Sequence, residues 1–483
     1  MRLPPPTLSS AERHDLLQTT LADAYFDYPG SGGIDIRPLI RFTVWSLLSP
    51  RSHEATTNRR TVLSRGTSLA KQFAQQRPLS FQAILDREVG DIRSASRGEA
   101  KKAHSLFVTP LNHQHQIGRS IVDRTYSPVG RRLLHDSVHL HSDALATLAK
   151  PKLWSKRVRA HFSTTAARSI GKQLHPTLNR YLATEEIVDR LHSNLIFLEL
   201  GRIVGRNLLQ RLPELHNTFT AAWYQPLVMG VLHEMNAAGV STIDIQHGQQ
   251  GPFQSMFVGM PRSEEVTRSI APTESWVWGS KTRDLMDSGH PSGGAIQIIG
   301  YPFLADTYVY RDLIKNGSGV PQTDVLISLQ APHLDSPEEV PLGLVNKLLA
   351  MGLSVQMRQH PNHRLSPTAL NQIRREFSDS VIVSEPRLPF SVVVPSVGLN
   401  VSGFSSTTLE AASLGIPSLL WSPIAEAQYA DLMASGVVAV SSDFREAIKY
   451  LSGQTRPDFS AVRAYIEPGD KLLLASIRKL DSQ

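Results

Sequence analysis

Residues 401–421, Val401-Ser-Gly-Phe-Ser-Ser-Thr-Thr-Leu-Glu-Ala-Ala-Ser-Leu-Gly-Ile-Pro-Ser-Leu-Leu-Trp421, read as strand, hydroxyl-rich turn, short helix and second strand. The first strand covers about Leu399 to Ser402, the helix about Thr407 to Leu414 and the second strand Pro417 to Trp421. Ser405, Ser406 and Thr407 stand where the helix begins, so their side chains are placed to cap its orphan N–H groups. Such a terminus, rich in free N–H groups and hydroxyls, also suits a phosphate. Glu410 falls one turn in, on the side facing the turn, where a carboxylate accepts hydrogen bonds from a sugar diol. Gly415 and Pro417 stop the helix. An ordinary capped βαβ unit accounts for the same residues, and the rest of the chain has to separate the two readings.

Working backwards, the same alternation repeats. Strands are expected at 354–357, 324–329, 295–299, 275–278, 240–245 and 218–222, with helices between them, as in parallel βαβ units. Asn316-Gly-Ser-Gly-Val-Pro321 interrupts the pattern as a linker. Two parallel-sheet α/β domains joined by a linker place a cleft between the carboxyl ends of their strands.

Polar clusters recur at those ends. Gln246-His247-Gly248 ends a strand of the first domain, and His247 is suited to remove a hydroxyl proton near neutral pH. Gly248 is expected to relieve a sharp turn beside a ligand. Arg358-x-His360-Pro361 ends a strand of the second domain and supplies a forked cation with a further donor, a set suited to a phosphate or diphosphate.

Upstream, Ser105 to Pro110 is a strand followed by a polar loop, Leu111 to Gly118, which carries His113 and His115 towards the cleft. His135, His139 and His141 are expected on a helix, where i and i+4 share a face, but no acidic third ligand stands at a supporting spacing and no metal is expected there. Residues 1–103 form a mixed, mainly helical extension. Within it Arg37, Arg41 and Trp45 suit either a basic-aromatic face at a membrane surface or a buried element.

The chain's 483 residues exceed one compact core. Hydrophobic residues at 41% and charged residues at 19% describe a globular protein with a large core. The absence of cysteine excludes disulfides, thiolate metal sites and a cysteine nucleophile. With no long apolar run and no apolar leader, a cytoplasmic protein is expected. Residues 1–190 hold 28 Lys and Arg against 16 Asp and Glu, whereas residues 191–483 hold 22 against 27. A basic first half suits either an anionic inner-membrane surface or simple solubility. Aromatic content of 7% without an aromatic-basic module argues against nucleic acid.

At these motifs the sequence resembles the bacterial surface-polysaccharide glycosyltransferases of GT-B architecture, the group of capsule and teichoic-acid type enzymes. The resemblance runs from about Ser105 to Tyr450. It rests on Gln246-His-Gly248, Val277-Trp-Gly279, Gly300-Tyr-Pro302, Leu326-Ile-Ser-Leu-Gln330, Arg358-x-His-Pro361, and Ser405-Ser406 with Glu410 and Gly415-x-Pro417. It implies an acceptor domain over 104–305, a linker over 306–323, a nucleotide-sugar domain over 324–452 and a C-terminal helix within 453–483 packing across both. It further implies that His360, Ser405 and Ser406 hold the donor phosphates, that Glu410 meets the ribose and that His247 faces the acceptor; the strand-end and helix-start readings above add Arg358 and Thr407 to the phosphate set and put Gln246 and Gly248 beside His247. The implied reaction moves a sugar from a nucleotide-sugar, without cofactor or metal, to a surface-polysaccharide or lipid-linked glycan acceptor. A CDP-glycerol-type glycerophosphotransferase and a non-catalytic nucleotide- or sugar-binding protein are the alternatives. An epimerase on the same architecture predicts paired carboxylates in the cleft, which the sequence does not offer.

Overall fold

The computed structural model describes residues 8–21, 34–48, 102–110, 113–117, 120–142, 164–178, 180–252, 254–258, 266–287, 295–307, 323–330, 340–360, 364–384, 389–422, 424–440 and 445–481. The expected linker at 316–321 and Pro361 lie outside them.

The first α/β unit opens with β1 (Ser105–Thr109), followed by a hairpin in which β2 (Gln114–Ile117) runs antiparallel to β3 (Ser120–Asp123). Its sheet joins β1 to β4 (Ser137–His141), β5 (Asn217–Thr220), β6 (Ser241–Ile245), β7 (Glu274–Val277) and β8 (Ala295–Ile298). They run in the order β4-β1-β5-β6-β7-β8 and every pair is parallel. The second sheet, β9 (Thr323–Ser328), β10 (Val355–Arg358), β11 (Val381–Ser384), β12 (Val397–Ser402), β13 (Ser418–Leu420) and β14 (Val438–Val440), is also fully parallel. Its order, β11-β10-β9-β12-β13-β14, is the 3-2-1-4-5-6 arrangement of nucleotide-binding sheets. The architecture is therefore GT-B-like, with two Rossmann-like domains. Each sheet has a switch point, between β1 and β5 in the first and between β9 and β12 in the second, and ligands of such sheets sit outside the strand ends at these points.

Strands buried on both faces explain the run of Val, Ile and Leu in β9 and β12. On one face of the first sheet, Phe107, Phe219, Ile243, Ile245 and Trp276 pack beneath the C-terminal helix Lys471–Asp481, through Leu473 and Ile477. The opposite face is covered by the helices Thr184–Arg211 and Pro226–Ala237. These two helices cross with backbones in contact. A side chain on Gly201 would run into the Leu227 carbonyl, and one on Gly230 into that of Leu198.

The helices Ser10–Leu21 and Arg37–Leu48 join the same core, and Asn194 Nδ2 donates to Thr43 Oγ1 at 2.8 Å. Arg41 is 1% exposed, donates to the carbonyls of Ser255 and Val258, and is pushed down to about 10 by burial. Arg37 pairs with Asp35 at 2.6 Å. The buried element is the correct reading of this stretch, and a basic-aromatic membrane face built on Arg41 is not.

Two expectations upstream also change. The polar segment after β1 is the β2–β3 hairpin and not an open loop. Of the residues expected on a histidine-bearing helix, His139 and His141 lie on β4, an edge strand beside β1, and His135 precedes it. Among the described residues no helix is long and apolar enough to cross a membrane.

Candidate functional site

The carboxyl ends of the two sheets meet around one buried, mostly charged cluster. Arg358, the last residue of β10, is 6% exposed and lies in the field of Glu410 from the helix Thr407–Ser413 and of Arg124, which follows β3. Burial pushes Arg358 down to about 10, with Glu410 opposing that shift and Arg124 adding to it. Burial raises Glu410 to about 7, against the pull of Arg124 and Arg358. Two guanidiniums beside a half-ionised carboxyl make a positive, desolvated setting, which suits a phosphate or diphosphate. Arg124 Nε is buried and has no hydrogen-bond partner among the described residues. A buried donor left in that state needs a ligand or water.

His247 enters the cluster from the first domain. Arg124, Thr125, Ile245, Gln246, His247, Tyr301 and Pro302 line a cavity of about 10 Å³. Small-molecule sites run at about 300–1,000 Å³, so this cavity is at most the size of one water and does not by itself hold a nucleotide. Desolvation and then Arg124 lower His247 to about 3, which leaves the imidazole neutral at pH 7. Its Nδ1 is buried without a hydrogen-bond partner among the described residues. His113 is held by Thr125, Nδ1 to Oγ1 at 2.9 Å, and its ring centroid lies 5.5 Å from that of His247. Burial, then Arg124 and His247, hold His113 well below the usual histidine range.

The remaining expected residues divide by role. Gln246 is 3% exposed and ties the strand end together. Its Oε1 accepts from Trp278 N at 2.7 Å, its carbonyl from Trp278 Nε1 at 2.9 Å, and its Nε2 donates to Gly248 O at 2.9 Å. It holds the strand end together and also lines the pocket beside His247. Gly248 has room for a Cβ, 3.9 Å from Ser406 Oγ, so the turn itself does not demand glycine. The proximity shows instead that the loop after β6 faces the Ser405–Thr407 turn. Tyr429 reinforces this contact, its hydroxyl lying against Gln249 Oε1 and 2.8 Å from Ser405 O.

At that turn Ser406 is the N-cap but makes no side-chain capping bond, and Ser405 Oγ accepts from Thr407 N at 3.3 Å. Thr407 Oγ1 is buried without a partner among the described residues. The helix is seven residues long, so its dipole adds little and the positive charge of the site comes from the arginines. His360 follows β10 and is partly exposed, and His115 is 7% exposed on the hairpin, where its charge acts on His113. Neither lines the pocket that His247 and Arg124 share.

Arg124, Tyr301 and Gln330 were missed as site residues. Tyr301 stacks on Trp278 at 4.2 Å and lies in the field of Glu410 and Arg124. Gln330, just past β9, accepts from Phe404 N at 3.0 Å and fills the space above Gly403 at the second switch point. Both lay within motifs visible in the sequence, Gly300-Tyr-Pro302 and Leu326–Gln330. Arg124 carried no local signal.

Comparison with known proteins gives a structural likeness only. No protein-family model matches the chain, and no curated protein matches it. Among solved structures, UDP-GlcNAc 2-epimerase from Neisseria meningitidis bound to UDP-GlcNAc superposes with a TM-score of 0.48 at 14% identity, covering 78% of this chain and 99% of that one. The Methanocaldococcus jannaschii UDP-GlcNAc 2-epimerase in complex with UDP-GlcNAc and UDP gives 0.47 at 10% identity, over 78% and 99%. SsfS6, a glycosyltransferase of Streptomyces sp. SF2575, gives 0.37 at 14% identity, again over 78% and 99%. These likenesses concern the path of the chain and nothing finer.

Proposed function

We propose that this chain is a glycosyltransferase that moves a sugar from a nucleotide-sugar to a surface-polysaccharide or lipid-linked glycan acceptor. The observation that carries the reading is the convergence of Arg358 and Arg124 with Glu410 at the end of a 3-2-1-4-5-6 sheet, opposite a neutral His247 on the other sheet whose Nδ1 has no partner among the described residues. The donor's phosphates lie between the two guanidiniums, with Ser405, Ser406 and the Thr407 hydroxyl as further donors, and Glu410 accepts from the ribose. The acceptor hydroxyl oxygen attacks the anomeric carbon and the bond from that carbon to the phosphate oxygen breaks. The hydroxyl proton passes to the His247 imidazole, and the electron pair leaves on the nucleotide, whose charge the arginines neutralise. His247 is a weak base in the ligand-free site, and the donor's negative charge raises its basicity when it binds.

A transferase is favoured over an epimerase because the charged groups acting on Glu410 are the guanidiniums of Arg124 and Arg358 and not a second carboxyl. Moving a proton on and off one sugar carbon calls for a pair of acid–base groups across it. The test is a thermal-shift screen of UDP, CDP, CMP and GDP and their sugars, followed by NMR of the stabilising donor with and without glycan acceptors. Nucleotide release that depends on acceptor supports the reading. Isomerisation of the donor alone, or the absence of any stabilising nucleotide, overturns it.

A further inference from the structure

Away from the donor cluster, at the edge of the first sheet, three ligand-type side chains converge. Asp123 at the end of β3 and His139 and His141 on β4 present ligand atoms all within 4.8 Å of one another, and all three residues are buried. On a strand, residues two apart share a face. His139 and His141 therefore point the same way, their rings edge to face at 4.6 Å. The carboxylate comes from a different element, the β2–β3 hairpin folded over the strand ends.

The surroundings resemble the outer shell that fixes metal ligands. Asp123 Oδ1 accepts from the backbone N–H groups of Thr125 at 2.8 Å and Tyr126 at 2.7 Å, which aims Oδ2 at His139 Nε2, 3.6 Å away. Thr109 Oγ1, at the end of β1, donates to Asp123 Oδ2 at 2.8 Å and lies 2.6 Å from His139 Nε2. Gln114 Nε2 lies 2.6 Å from His141 Nε2, and Tyr126 stacks on His139 at 4.4 Å. Burial keeps His139 neutral, at about 4, although a carboxylate stands beside it, and a neutral imidazole is the ligand form.

We propose that Asp123, His139 and His141, with Thr109 adjacent, form a binding site for one divalent transition-metal cation of the zinc type. Two imidazoles and one carboxylate supply nitrogen and oxygen donors suited to such an ion and too few hard oxygens for calcium. The ion pins the β2–β3 hairpin to β1 and β4, and so fixes Arg124, the residue after Asp123, over the cleft. Its role is structural, and the inference does not depend on the identity of the sugar donor.

The test is calorimetric titration of chelator-treated, full-length protein with Zn²⁺, with Co²⁺ absorbance as a second probe. One tight equivalent is expected for the wild type, weakened by at least about 10²-fold in His139→Ala and in His141→Gln. The His104→Ala/His216→Ala protein should keep it, since those stacked rings lie by the amino ends of β1 and β5 and offer a rival pair. Melting in chelator shows whether each variant is folded, and His141→Gln serves if His139→Ala is not. Absence of a stoichiometric ion in the wild type, or its loss in the His104/His216 variant with retention in the folded His141 variant, overturns the proposal. In that event the three residues are a hydrogen-bonded Thr–Asp–His network only.

Discussion

His113 and His247 face one another across the mouth of the first domain, ring centroids 5.5 Å apart, and both are held neutral by burial and by Arg124. A neutral pair next to an arginine can accept a proton only when an anion arrives to offset that charge. In the proposed reaction, proton transfer and donor binding are therefore coupled.

For His247 itself, replacement by Ala or Gln should lower turnover by about 10² to 10⁴ while donor affinity stays within a few-fold of wild type. An amide keeps a hydrogen bond but cannot take the proton. Because the free imidazole lies at about 3, kcat/KM should show no acid limb near pH 6.5 that disappears in His247→Gln. Normal turnover of either variant removes His247 from the chemistry.

Arg124 and Arg358 should behave alike although they come from different domains. Ala at either position should weaken nucleotide binding at least tenfold, about 1.4 kcal/mol, measured by calorimetry. Lys at Arg124 should restore only part of the loss, because a point charge cannot reproduce a planar fork. Unchanged affinity in a folded Arg358→Ala protein counts against the phosphate assignment.

Glu410 makes a pH prediction. Its carboxyl is raised from 4.5 to about 7 in the folded protein, so the native state binds more protons than the unfolded chain between those values. Its contribution is therefore neutral below about pH 4.5 and increasingly destabilising as pH rises towards 7, reaching ~3 kcal/mol. Glu410→Gln should be more stable than wild type at pH 8 and equal to it near pH 4, read from denaturant midpoints at the two pH values. An advantage that does not change with pH would show that the carboxyl is not desolvated.

Gly230→Val should fail to fold or lose several kcal/mol, because its Cβ collides with the Leu198 backbone in the neighbouring helix and neither main chain can move alone. Soluble expression and a thermal melt decide this. Wild-type stability in the Gly230→Val protein would mean that the two helices do not cross at Gly201 and Gly230.

The second domain was legible almost residue by residue, and the reason is local. Its strands are apolar runs closed by Gly, Pro or hydroxyl turns, and the βα alternation leaves little choice of partner order. The β2–β3 hairpin and β4 were not legible. Ser137-Val-His-Leu-His141 alternates as a strand should, yet His135 and His139 sit four apart as on a helix, and five residues are too few to separate the two periods. Asp123 and Arg124 were invisible for a stronger reason. Their meaning is set by where the hairpin folds back, and no spacing in the sequence encodes that contact. Gln246 lies beside His247 as its motif suggests, but the motif does not reveal that its amide also braces the strand end through Trp278 N, Gly248 O and Thr282 Oγ1.

The return of the chain's last segment to the first sheet constrains how the two sheets can move. After the second sheet, Phe459–Ala464 and Tyr465–Ile466 pack with Trp278, Tyr301, Leu409, Tyr429 and Leu432 in one apolar cluster drawn from both domains. Gly300, at φ +74, lies so close to this segment that a Cβ would sit 2.6 Å from the Glu467 carbonyl oxygen. Glu467 N donates to Trp278 O at 2.9 Å, and Arg132 bridges Asp306 and Asp470 at 2.9 and 3.1 Å just before the final helix. These contacts fasten the segment that follows the second sheet to the ends of β7 and β8, so any movement of one sheet against the other has to carry or break them. The tail thus works as a clasp, keeping Arg358 and Glu410 in the second domain within reach of Arg124 in the first.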